Sequence, residues 1–407
     1  MHELSTTAPS DRLEALVAGR TQANERFFAA EAERIARLCH RMAERFARGG
    51  RLIALGRSPA ARSDVRHIAV EFVHPVIVGK RALPAIGLAS EGGPLPLQAA
   101  LVAEPDDIVI AFEAESSDGE AAAALGAAEQ RGCLTIAFAP VGAAWEFEPG
   151  GEDAFVRQEI VEVLYHVLWE LVHVFFEHKG LLEGRQEGPV HDSGASSFLY
   201  PFLAEQEHDL DAVLDDVAAS VRTKAQETWL LRAQTMTDNR DTLLGAAGAL
   251  RGCFEAGGRL LALGNGGAAT DAMDAVADFR AAPQGWPARA AIDLTEDSAI
   301  LTAIANDIGI DAIFARQVIA YGREGDALLA LSTSGNSTNV IAALAEARRR
   351  GLVTVAMVGY DGGRVAEEAL ADHVVVTRSQ HIPRIQEAQA GAYHALRELV
   401  ELPPQQD

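Results

Sequence analysis

The phrase Gly-Gly-Arg-Leu-Ile-Ala-Leu-Gly at 49–56 returns as Gly-Gly-Arg-Leu-Leu-Ala-Leu-Gly at 257–264. The separation, 257 minus 49 or 208 residues, is about half of the 407-residue chain, so the repeat marks a tandem duplication and not a short solenoid array. Amphipathic spacing over 12–48 and 209–256 predicts a helical lead-in to each phrase. The phrase itself is a short apolar run closed by glycine, the pattern of a parallel strand buried on both faces. In the second half, strands are expected at Arg259–Leu263, Ala290–Leu294, Ala327–Ser332, Val353–Val358 and His373–Thr377, with helices over 268–281, 311–322, 336–350 and 383–401. The first half offers strands at Arg51–Leu55, Ala85–Leu88, Ile108–Phe112 and Leu134–Ala139, and a closing helix over 153–178. This alternation predicts an α/β chain of two tandem domains, each a doubly wound parallel sheet flanked by helices. The expected division is 1–182, a linker at 183–204 rich in Gly, Ser and charge, and 205–407.

Composition narrows the function classes. A hydrophobic share of 48% supplies packed cores, and a net charge of −23 argues against nucleic acid as a partner. A small anion needs only local donors and stays open. Cys39, Cys133 and Cys253 are too scattered for a disulfide framework or a cysteine zinc site and fit a reducing compartment. The run Val161–Phe176 is interrupted by Glu162, His166, Glu170 and His173, so no membrane span is expected. The start is polar and acidic, and a soluble, cytoplasmic protein is the expectation.

Two loops of the second half carry chemistry. Gly264-Asn265-Gly266-Gly267-Ala268 and Ser332-Thr333-Ser334-Gly335-Asn336-Ser337 each join a strand to a helix. Glycines there let a backbone approach a ligand, and hydroxyls with free N–H groups at a helix start form a nest for phosphate. Two other readings stand beside this one. The serine-rich loop also fits an ordinary turn with a helix cap. Gly264, Gly266 and Ala269, with Asp293 further on, also fit a dinucleotide fingerprint.

The ordered set Gly-Asn-Gly-Gly at 264–267, Asn306-Asp307, Gly322-Arg-Glu-Gly-Asp326, Ser332–Ser337 and Arg384-Ile-Gln-Glu387 resembles that of bacterial phosphoheptose isomerases, over about 210–402. The resemblance implies sugar-phosphate isomerase (SIS) domains and conversion of sedoheptulose 7-phosphate to an aldose heptose 7-phosphate. It implies that Asn265, Gly266, Gly267, Asn306, Asp307 and Gln386 contact substrate, and that Ser332, Thr333, Ser334 and Ser337 hold its phosphate.

The family's chemistry resembles a zinc centre built from His-x-x-x-Glu on a first helix and Gln-x7-His on a last one. An enediol route needs one group to take the carbon proton and another to protonate oxygen. The second half departs from the pattern, with Asp274 and Asp278 in place of His and Glu, while Gln386 and His394 remain. The first half keeps His67, Glu71, Gln158 and His166 at family spacing, a candidate zinc set of one ion per chain. In the first half Arg57-Ser-Pro replaces the glycine loop, and Glu113-Ala-Glu-Ser-Ser-Asp118 replaces the hydroxyl loop. These complementary losses predict a composite site, with Glu71 as base and His166 as acid; if the second half acts alone, Asp278 and His394 take those roles. Relatives assemble as tetramers, so a homodimer of this tandem chain is expected. A non-catalytic phosphosugar sensor or scaffold is the alternative. Taken singly, His67 and Glu71 also fit a plain helix-surface pair, and His166 a packed core histidine.

Overall fold

The computed structural model describes residues 9–77, 80–89, 92–112, 119–151, 153–177, 182, 209–281 and 285–401. The expected linker at 183–204 and the acidic segment at 113–118 lie outside the described residues. The first sheet contains β1 (Leu52–Leu55), β2 (Ala85–Leu88), β3 (Ile108–Ala111), β4 (Leu134–Ala137) and β5 (Trp145–Glu146), in the order β2-β1-β3-β4-β5. The second contains β6 (Leu260–Leu263), β7 (Ala291–Asp293), β8 (Ala327–Ser332), β9 (Val353–Gly359) and β10 (His373–Thr377), in the order β7-β6-β8-β9-β10. Every pairing is parallel. The two orders are the same, 2-1-3-4-5, so the repeated phrase belongs to a repeated topology.

The phrase is repeated because each of its residues has a job in the backbone. Gly49 and Gly257, just after a helix end, sit at φ of 93° and 81°, the left-handed region that stops a helix cheaply. A Cβ on Gly50 would lie 2.1 Å from the Asp106 carbonyl oxygen, and one on Gly258 would lie 2.5 Å from that of Gly325. The four residues of β1 and of β6 that follow are fully buried, as a strand covered on both faces requires.

Around the sheets run α1 (Pro9–Ala47), α2 (Pro59–Val73), α3 (Leu95–Val102), α4 (Glu120–Glu129), α5 (Ala154–Glu177), α6 (Leu210–Asp238), α7 (Arg240–Glu255), α8 (Gly267–Arg280), α9 (Ser298–Asp307), α10 (Ala315–Tyr321), α11 (Thr338–Arg349), α12 (Gly363–Glu367) and α13 (Ile382–Glu401). The helical stretch expected over 209–256 is broken at Asn239. Its side-chain amide donates to the Val376 carbonyl at 3.0 Å and its Oδ1 accepts from Val376 N at 3.0 Å, so it is used as a bridge to β10.

The chain divides into two compact units. One comprises Met1–Ala23, Glu152–Glu159 and Glu227–Asp407 and contains β6 to β10; the other comprises Asn24–Gly151 and Ile160–Gln226 and contains β1 to β5. Each half of the sequence thus keeps its own sheet, while α1, α5 and α6 contribute residues to both units. Among the described residues no helix is long and apolar enough to cross a membrane.

Candidate functional sites

In the β6–β10 unit, β7 and β8 lie on opposite sides of β6, so the strand order reverses there. The loops after β6 and β8 therefore open at the carboxyl ends of the strands flanking the switch point, where ligands of open α/β sheets bind. The glycine loop is tied to the first turn of α11, immediately after the hydroxyl loop. Asn265 Nδ2 donates to Asn339 Oδ1 at 2.9 Å, and Asn339 Nδ2 donates back to Asn265 Oδ1 at 3.0 Å. Gly266, at φ 59° and ψ −127°, caps α8 without a side chain, leaving the N–H groups of its first turn for a ligand.

The hydroxyl loop is shaped from within and from behind. Ser332 Oγ accepts from Gly335 N at 3.2 Å and stands 3.4 Å from Ser337 Oγ. Ser334 Oγ accepts from Asn336 N at 3.1 Å, and the Ser337 hydroxyl makes no cap bond to α11. Behind it, Cβ atoms added to Gly335, Gly359 and Gly363 would meet backbone oxygens of Gly362, Thr333 and Ser334 at 2.1, 2.4 and 2.4 Å. The reading as a mere turn and cap does not explain a loop pressed against a second, glycine-built segment. In the dinucleotide alternative, Asp293 is spent locally: its Oδ1 accepts from Thr295 N at 2.7 Å and Thr295 Oγ1 at 2.6 Å.

The same unit gathers Asp274, Asp278 and His394, all buried, with one atom from each lying within 4.8 Å of the others. His394 Nε2 is 3.3 Å from Asp274 Oδ2 and 3.3 Å from Asp278 Oδ2. Asp274 also accepts from Tyr393 OH at 2.8 Å and from Gln158 Nε2 at 2.7 Å. Burial, and then the neighbouring Asp274, push the Asp278 carboxyl up to about 7. Burial lowers His394, but hydrogen bonds to Asp274, Asp278 and Glu159 outweigh it and hold the ring well above the usual histidine range. A carboxyl raised to about 7 thus stands beside an imidazole that holds its proton, an acid–base pair in one buried cluster.

The β1–β5 unit brings together His67 on α2 with Glu162 and His166 on α5, all buried and within 4.8 Å. The Nε2 atoms of the two histidines face each other at 3.3 Å. Two imidazoles on one tetrahedral zinc, each bonded at about 2.0–2.1 Å, place their nitrogens about 3.3–3.4 Å apart, so the set fits that ion. Burial, and then the facing His166, hold His67 well below its usual range, which keeps its lone pair available. Glu71 Oε1 lies 3.9 Å from His67 Nε2.

The amide nitrogen of Gln158, the fourth residue of the expected set, donates to Asp274 Oδ1 at 2.7 Å. Gln158 falls in the β6–β10 unit, and Glu162, one turn before His166, is the carboxylate whose oxygen comes within 4.8 Å of both histidine nitrogens. Gln386 is buried on α13, while Asn306 and Asp307 are exposed at the end of α9, the first donating to the second at 2.7 Å. Sequence reasoning missed Glu162, Tyr393, Asn339 and the glycines at 359 and 363. Glu162 alone carried a signal, since it is an acidic residue four before His166 in an apolar run.

Residues 226–359 match the SIS domain family. A phosphoheptose isomerase of Chlorobium phaeobacteroides is 43% identical over 195 residues, which is 47% of this chain and 82% of that protein. One from Desulfovibrio desulfuricans is 42% identical over 192 residues, 47% of this chain and 89% of that protein. The chain belongs to the SIS-domain phosphoheptose isomerase family. Structural likeness extends the SIS fold over both sheets: tagatose-6-phosphate ketose/aldose isomerase from Escherichia coli aligns with a TM-score of 0.55 at 14% identity, covering 99% of this chain and 100% of that one. The C-terminal domain of glucosamine-fructose-6-phosphate aminotransferase from Francisella tularensis aligns at a TM-score of 0.59 and 10% identity, over 95% and 93% of the two chains. At such identities these two matches speak for the fold of the tandem chain, two SIS domains in succession.

Proposed function

We propose that this chain is an aldose–ketose isomerase of sugar phosphates, with sedoheptulose 7-phosphate and its aldose isomer as the substrate pair. The observation that carries the reading is the Asn265–Asn339 amide pair, which ties the glycine loop to the helix start that directly follows the hydroxyl loop at the switch point. Ser332, Thr333, Ser334 and Ser337, with the N–H groups at the starts of α8 and α11, would hold the phosphate as a neutral nest in a chain of net charge −23. Asn265, Gly266, Gly267, Asn306, Asp307 and Gln386 are assigned to the sugar on the strength of the family. In the β6–β10 unit, Asp278 would take the carbon proton and His394 Nε2 would protonate oxygen. Asp274, bonded by Tyr393 OH and Gln158 Nε2, stands beside both groups and orients His394 Nε2.

In the β1–β5 unit, His67, Glu162 and His166 are assigned to zinc, about one ion per chain. A zinc ion there would polarise a carbonyl oxygen and stabilise an enediolate. Glu71, beside His67, is the carboxylate placed to move a proton at its Oε atoms.

Ser334→Ala and Asp278→Asn, assayed for turnover and for binding of sedoheptulose 7-phosphate, test the assignment. Ser334→Ala should weaken binding, whereas Asp278→Asn should bind but not turn over. Wild-type protein that binds the sugar phosphate and never converts it would move the chain to the sensor class.

A further inference from the structure

The centre around His394 is not built from the second half of the sequence alone. Three residues around His394 come from the start of α5, in the first half of the sequence: Phe155, Gln158 and Glu159. All three belong to the same compact unit as His394. Phe155 stacks on the imidazole at 4.6 Å with the planes 11° apart. Glu159 Oε1 lies 3.0 Å from His394 Nδ1. Glu159 is fully buried, and its carboxylate is clamped by Arg20 Nε at 2.9 Å and by an Arg232 guanidinium nitrogen at 3.2 Å. Burial pushes its carboxyl up, but Arg20, Arg232 and His394 together hold it well below the usual carboxylate range.

We infer that Glu159 is the positioning residue of the β6–β10 centre: it fixes the proton on His394 Nδ1 and so aims Nε2 at Asp274 and Asp278. An ionised carboxylate only accepts hydrogen bonds, so the ring nitrogen facing it must carry hydrogen. The other nitrogen is then the one free to pass a proton toward the two aspartates. The charged groups facing His394 are all accounted for by element: Asp274 and Asp278 on α8, and Glu159 on α5. Arg20 on α1 and Arg232 on α6 act through Glu159, while Arg397 on α13 donates to the Asp278 backbone oxygen at 3.0 Å. The consequence is that the SIS half matched by the single-domain relatives depends, in this chain, on a segment of the other half. Its catalytic meaning rests on the isomerase reading, but the orientation of the ring does not.

The test uses the full-length protein. Side-chain nitrogen NMR, with His394 assigned by its loss in His394→Asn, should show hydrogen on Nδ1 throughout the folded pH range. A bare Nδ1 in the wild-type protein would overturn the inference without any variant of Glu159. Glu159→Gln should then lower kcat by more than about 10-fold, toward the ~10⁴-fold loss seen when the carboxylate that fixes a catalytic histidine's tautomer is replaced, and leave KM within twofold. Because that variant leaves two buried arginines less well matched, Glu159→Asp is measured beside it. Glu159→Asp keeps the charge and should keep the Nδ1 hydrogen signal and a larger share of kcat. Glu159→Gln that folds and turns over like wild type would also refute the positioning role. If the wild type shows the Nδ1 hydrogen but converts no sugar phosphate, the isomerase reading fails and the positioning of His394 stands.

Discussion

Gly335→Ala isolates the architecture of the hydroxyl loop. Gly335 sits at φ 62°, and an added Cβ would lie 2.1 Å from the Gly362 carbonyl oxygen and 2.7 Å from its carbonyl carbon. The left-handed conformation costs an L-residue about 1–2 kcal/mol. Relieving a clash against backbone, which cannot rotate away, adds about 1–3 kcal/mol. The sum, about 2–5 kcal/mol, can be met by lost global stability or by a displaced loop, and either is measurable. Thermal melting and calorimetric titration with sedoheptulose 7-phosphate should together register it, as a lower Tm, a weaker affinity, or both. Gly248→Ala is the control, since its added Cβ meets nothing within 4 Å in the interior of α7. That exchange should be neutral or mildly stabilising. If Gly335→Ala melts and binds like wild type, the loop is not held as described and the phosphate assignment loses its structural basis.

Asp278, raised from 3.8 to about 7, makes stability pH-dependent with a definite sign. The unfolded chain releases this proton first as pH rises from about 4 to about 7, so stability falls over that window, by a few kcal/mol at most. Denaturant melts of Asp278→Asn should lack that decline. In the other unit, His67→Ala should abolish bound zinc in metal analysis, whereas Gln158→Ala should retain it, since its side chain serves Asp274. Light scattering should return twice the chain mass if the proposed homodimer forms.

How much of this was legible in the sequence depends on how locally each feature is encoded. Buried parallel strands announce themselves as short apolar runs, so β6 to β10 fall within a residue of their expected bounds, as do β1 to β4 except for two residues lost from the end of β4. The two-residue β5 is too short to show a period, and α9 has no buried residue to create one, though Asp297 caps it by accepting from Ala299 N and Ile300 N. The phosphate loops were readable because glycines and hydroxyls must cluster there. Their partners were not: Asn339 and the glycines at 359 and 363 act by closeness of distant segments. Of the metal set, His67 and His166 were legible as family spacing, whereas Glu162 joins them only because the fold packs α2 against α5. Glu159 was visible only as a neighbour of Gln158; its role comes from two arginines and a histidine far away in sequence.

The most direct test of the central claim is turnover of sedoheptulose 7-phosphate by the purified full-length protein, followed by the appearance of the aldose heptose 7-phosphate. The account expects conversion in wild type, weakened binding in Ser334→Ala and no conversion in Asp278→Asn. Binding without conversion in the wild type, or undiminished conversion in Asp278→Asn, would contradict it.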